Sequence, residues 1–191
     1  MEPDDDFKTI EEAKRLYDRK EYEKAFALYL ILAERGNMEC QTFVGWMYFK
    51  GEGVAKDHIE AKSWISRAAN TGDRNAQYSF GVMCHLLGDY QNALVFYTKA
   101  AASGHSAAYY QLGEMYYAGL GVEMNYVKAY EFFETGAKMG HIFAKRQLSL
   151  MLIKGFKGLP YIPAGIALFV VNIFTGGWAA ITDTYSEKTY S

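Results

Sequence analysis

The residues best equipped for chemistry are two cysteines, Cys40 and Cys84, and four histidines, His58, His85, His105 and His141. A thiolate beside an imidazole would be a nucleophile, and two imidazoles four residues apart on a helix would hold zinc. No two histidines have that spacing, and there is no HExxH segment. The signatures of a P-loop, a nucleophile elbow (G-x-S-x-G) and a dinucleotide fold (G-x-G-x-x-G) are also missing. GEGV (Gly51–Val54) and GLGV (Gly119–Val122) come nearest to a phosphate cradle. They recur in the register of a repeat, however, and read as turns between helices. No catalytic residue, cofactor or metal ligand is expected, and the chain is not expected to be an enzyme.

What the chain does instead depends on the elements that carry these residues. It has 191 residues, half of them hydrophobic and 16% aromatic, with a formal charge of −2. That is too aromatic and too weakly charged for a disordered chain. It lacks the basic excess of a nucleic-acid binder, so no nucleic acid is expected as a partner. Two cysteines cannot staple a disulfide-dense secreted scaffold. The opening MEPDDD has neither the basic start nor the apolar run of a secretory leader, so a cytosolic repeat region is expected.

Glycines set the organisation. Gly36, Gly72, Gly104 and Gly140 each close an Ala-rich helical segment and each precede, by four residues, a small residue: Cys40, Ala76, Ala108 or Ala144. A second series, Gly45, Gly81 and Gly113, keeps the same spacing, and Ser149 takes its next place. Met47, Met83, Met115 and Met151 follow two residues later. The third unit replaces the G-x-G-V loop with the shorter turn Leu87-Gly88-Asp89. Each unit reads as helix A, turn, helix B, turn, with helices expected near 8–18, 21–35, 39–50, 57–70, 75–87, 89–103, 107–118, 125–139 and 143–154. A glycine inside a helix costs roughly 1 kcal/mol against alanine. Its recurrence implies a return, namely close approach of helix B. Cys40 and Cys84 occupy core positions of this register and are expected to be buried thiols.

The runs CQTFVGWMYFKGEGVAKDHIEAKSWISRAANTG and AYYQLGEMYYAGLGVEMNYVKAYEFFETGAKMG resemble Sel-one-like repeats, relatives of the tetratricopeptide repeat. The resemblance is close over residues 37–157 and looser over 8–36. It implies an all-α fold, an α/α superhelical solenoid of helix pairs, and a protein-interaction scaffold. Some secreted relatives bridge each repeat with paired cysteines; this chain lacks the pairs. In related solenoids helix A lines the concave face. Carried onto this register, that face includes Glu39, Thr42 and Asn75, with Trp46, Phe49, Tyr78, His85, Tyr110, Glu114, Tyr117 and Arg146 as the expected protein-binding residues. The expected partner is a protein presenting an extended peptide, or a membrane protein.

The charges stop at Lys157 and resume at Asp183. Pro163 to Thr182 would span about 30 Å as a helix, the thickness of a bilayer core. Pro163, Ile166, Leu168, Phe169, Val170, Val171, Ile173, Phe174 and Trp178 are its expected membrane-segment residues, with membrane lipid as a further partner. Basic residues lie before the stretch and mostly acidic ones after it, which would keep the repeats cytosolic. Pro160, Gly176-Gly177 and Asn172 interrupt it, so a surface-lying segment or burial against protein remains open. The expected division is an acidic tail at 1–7, a repeat region at 8–157, a hydrophobic segment at 158–182 and a polar tail at 183–191. The expected function is a non-catalytic adaptor or scaffold, membrane-tethered with its repeats in the cytosol. The alternatives are an accessory subunit of a membrane enzyme or secretion complex, and a soluble cytoplasmic protein.

Overall fold

The computed structural model describes residues 3–156 together with 166, 167, 170 and 171. These contain nine α-helices and no strand: α1 (Pro3–Asp18), α2 (Tyr22–Glu34), α3 (Met38–Lys50), α4 (His58–Ala69), α5 (Arg74–Leu86), α6 (Tyr90–Ala102), α7 (Ser106–Ala118), α8 (Tyr126–Lys138) and α9 (Ile142–Ile153). Eight begin and end within a residue or two of expectation. The exception is α1, which starts at Pro3 rather than near residue 8. Proline suits a first helical position, because the N–H it lacks would have no partner there. The chain forms two compact units, Met1–Ser103 and Gly104–Ser191. In the first, α1 pairs with α2, α3 with α4 and α5 with α6, while α2 on α3 and α4 on α5 join the pairs in sequence order. In the second, α7 pairs with α8, and α8 packs on α9.

Turn chemistry fixes where the helices start. Asp57 Oδ1 accepts the Ile59 and Glu60 N–H groups at 2.8 and 3.1 Å to open α4. Asp89 and Asn125 do the same work at the corresponding places before α6 and α8. Such caps satisfy N–H groups that have no partner within the helix. Gly51 and Gly119 close α3 and α7 in the left-handed conformation, at φ 78° and 70°, where a side chain would be strained.

The internal glycines are contact points. A Cβ on Gly45 would run into the Ile65 side chain and lie 2.9 Å from the Ala61 carbonyl oxygen. On Gly81 it would lie 2.7 Å from the Tyr97 ring, and on Gly113 2.5 Å from the Phe133 ring. Ile65, Tyr97 and Phe133 hold one place in successive B helices and are fully buried. Each A helix thus gives up a side chain so that a large residue of its partner can seat on bare backbone. In α9 Ser149 takes the glycine place; it is buried and its hydroxyl donates to the Lys145 carbonyl at 2.7 Å.

Of the expected membrane-segment residues, Pro163, Leu168, Phe169, Ile173, Phe174 and Trp178 lie outside the described residues. Ile166, Val170 and Val171 are described and are exposed. Among the described residues no helix is long and apolar enough to cross a membrane.

Gly113→Ala gains about 1 kcal/mol of helix propensity but must push the Phe133 ring aside, at about 1–3 kcal/mol. We expect a net loss on the order of 1 kcal/mol in urea unfolding, and a rise in stability would refute the contact.

Candidate functional site

The eight expected binding residues divide between the units. Trp46 and Phe49 of α3 and Tyr78 and His85 of α5 belong to the first; Tyr110, Glu114 and Tyr117 of α7 and Arg146 of α9 belong to the second. Arg146 is exposed and the other seven are half-buried. The rings are therefore partly structural and partly presented. Trp46 sits edge-on to Phe49 at 5.5 Å, and Phe49 stacks on His58 at 5.0 Å. Tyr78 leans on Tyr97 at 5.8 Å, and His85 meets Tyr90 edge-on at 5.3 Å. The His85 Nδ1 atom is buried without a hydrogen-bond partner, and burial lowers the affinity of the ring for a proton. His85 is thus a neutral ring on this face rather than a charge.

In the second unit Tyr110 lies among Phe133, His141 and Phe143, with centroids 5.9, 5.2 and 5.9 Å away. Tyr117 is edge-on to Tyr126 at 5.2 Å. The Gln147 amide donates to Glu114 at 2.8 Å, which ties α9 to α7 and takes up part of the one acidic group among the eight.

A concavity of about 410 Å³ lies between α3 and α5 in the first unit. Glu39, Thr42, Phe43, Asn75 and Ser79 are among its lining residues. The repeat register places Glu39, Thr42 and Asn75 on the inner face, but they are small or polar and are not among the expected binding residues. Phe43 and Ser79 hold equivalent places in their repeats, one position further along, and only the packed helices show that they line the same hollow. Half-exposed rings on the A helices, and a hollow lined by both polar and apolar side chains, suit a chain segment that buries side chains and leaves its backbone hydrogen-bonded.

Among the described residues no three His, Cys, Asp or Glu side chains come together to hold a metal ion. Cys40 and Cys84 are free and buried. Burial pushes their thiols up to about 12 and about 11, away from the thiolate that a nucleophile needs.

Family comparison follows the same register. Residues 13–37, 39–73, 75–105 and 106–141 match the Sel1 repeat. The chain belongs to the Sel1 repeat family. The first match covers the α1–α2 region whose resemblance was only loose in the sequence. A Sel1 repeat protein from Oxalobacter formigenes, known from its crystal structure, shares the fold at a TM-score of 0.78 and 28% identity. The match covers 92% of this chain and 76% of that one. An uncharacterised protein of Neisseria meningitidis is 28% identical over 133 residues, which is 69% of this chain and 28% of that protein. The rat DAP3-binding cell death enhancer 1 is 31% identical over 113 residues, 57% of this chain and 22% of that protein. The chain thus spans about a quarter of the length of these curated relatives. The fold is that of the Sel1 α/α solenoid, a class that mediates protein–protein interaction.

The thiol environments make a direct prediction. Neither Cys40 nor Cys84 should react with an aromatic disulfide reagent in the folded protein at neutral pH, and both should react in denaturant. Rapid labelling of the folded chain would contradict their burial.

Proposed function

We propose that this protein is a non-catalytic interaction scaffold whose A-helix faces hold a partner protein through an extended segment. The observation that carries the reading is the half-exposure of Trp46, Phe49 and Tyr78 in the first unit, which also holds the hollow between α3 and α5, and of Tyr110 and Tyr117 in the second. Buried aromatic anchors supply most of the energy in such contacts. Family membership supports it, and the rat relative is named for binding another protein. A finer part of the proposal concerns the uncharged stretch 158–182, which tethers the scaffold to a membrane. Its composition supports this: 25 residues without a charge, preceded by Lys154 and Lys157 and followed by Asp183 and Glu187. Tethering would raise the effective concentration of whatever the repeats hold.

Two experiments test the two parts separately. Trp46→Ala for the first unit and Tyr110→Ala for the second should each weaken capture of a crosslinked partner at least about tenfold, the scale of one lost anchor. Helical content should be retained by circular dichroism. Unchanged capture by both folded variants would overturn the groove. For the tether, full-length protein should resist alkaline carbonate extraction while a chain ending at Lys157 is released. Equal release of both would exclude it without touching the groove.

A further inference from the structure

One position of the repeat starts each A helix after the first, and this chain fills it with Asn37, Asp73, His105 and His141 in turn. Asn37 Oδ1 accepts the Cys40 N–H at 3.0 Å, and Asp73 Oδ1 accepts the Ala76 N–H at 2.8 Å. His141 makes the equivalent bond with a ring nitrogen: Nδ1 accepts the Ala144 N–H at 3.2 Å. His105 does not cap α7 through its side chain. The three capping side chains do equal geometric work, yet only the imidazole titrates near neutral pH; an asparagine never does, and an aspartate is ionised throughout that range.

We infer that His141 is a proton-sensitive latch, whose protonation releases the first turn of α9 and the Tyr110 ring stacked against it. An imidazole accepting at Nδ1 must carry its single proton on Nε2. A second proton would go onto Nδ1, where it would face the Ala144 N–H donor-to-donor. The new charge would also sit at the positive end of the α9 dipole.

The surroundings oppose the charge in the same direction. From α7 the ring faces Tyr110, stacked at 5.2 Å, and from the turn before α7 it faces His105, whose protonation would disfavour a second charge. On its own element it faces Phe143 at 5.8 Å. From α8, the Gly136 carbonyl accepts the His141 backbone N–H at 3.0 Å, and Lys138 of the last turn is paired with Glu134 of the same helix. Among the described residues, no carboxylate is one of the groups that act on the ring.

Burial first, and His105 second, hold the affinity of the folded ring for a proton below its ordinary value of 6.5. The unfolded chain therefore takes up a proton that the folded chain resists. The stability contributed by the cap is complete above the ordinary value and is lost as pH falls through the lower, folded one. Among the caps of α3, α5 and α9, only that of α9 is an imidazole, the side chain whose ordinary titration falls in this range. Release of the turn does not require that Tyr110 meet a partner, so the latch stands apart from the groove.

The test is site-resolved amide exchange on the full chain from about pH 7 to about pH 5, corrected for intrinsic exchange, with the His141 ring titrated in parallel by NMR. Ala144 should lose protection by about tenfold or more, the scale of one lost helix N-cap. Cys40 and Ala76, capped by Asn37 and Asp73, should hold theirs. His141→Asn should keep Ala144 protected throughout, and His141→Ala should leave it weakly protected at both ends. Three results would each overturn the inference: a His141 ring titrating at or above its ordinary value, an equal loss at Cys40 and Ala76, or the same acid loss in His141→Asn.

Discussion

Everything in this fold depends on how near a B helix can come to its own A helix. The limit is set where Gly45, Gly81 and Gly113 present backbone alone to Ile65, Tyr97 and Phe133. A single methyl group at any of these glycines would meet an atom inside ordinary contact distance. Close approach lets one large residue per B helix be buried completely, and it leaves room for small residues elsewhere along the seam. Ala25, Ala61, Ala93 and Ala129 share one register place near the starts of the B helices and are fully buried. A seam built of alanine and glycine, with one ring or branched chain per pair, is narrow. It therefore leaves many aromatic residues unused by the core, and these populate the half-exposed faces of α3, α5 and α7.

The turns then decide what the pairs present. Because every helix after α2 opens on a short polar or imidazole residue, the connections are short and the helix starts are sharply placed. Gly53 extends the same economy: a Cβ there would collide with the Tyr22 carbonyl and lie 2.8 Å from the Glu23 nitrogen. The GEGV loop thus lies against the opening of α2, in the preceding pair. Gly53 serves close packing between successive pairs and Gly51 the left-handed close of α3, and no anion is needed to explain them.

Much of this was legible in the sequence because the repeat multiplies each weak signal. A lone glycine in a helix says little, but three at one register place, each followed by methionine two residues on, specify both the helix and its crowded side. The same logic identified Cys40 and Cys84 as core residues, since Ala76 and Tyr48 hold the corresponding slots. What the register could not show was how far each ring is spent on packing. Tyr110 and Trp46 look alike as inner-face aromatics, yet Tyr110 has three rings around it while Trp46 has Phe49 at its side. Periodicity assigns a direction from the helix axis, whereas exposure depends on the size of every neighbour. The start of α1 was missed for a related reason: the repeat pattern is silent before its first apolar residue, and MEPDDD reads as a tail unless proline at a first turn is weighed.

Ser149 stands where α3, α5 and α7 have glycine, and its hydroxyl is turned back onto the Lys145 carbonyl of its own helix. The serine thus takes up for its own helix the space that Gly45, Gly81 and Gly113 leave open to a ring or branched chain of the partner helix.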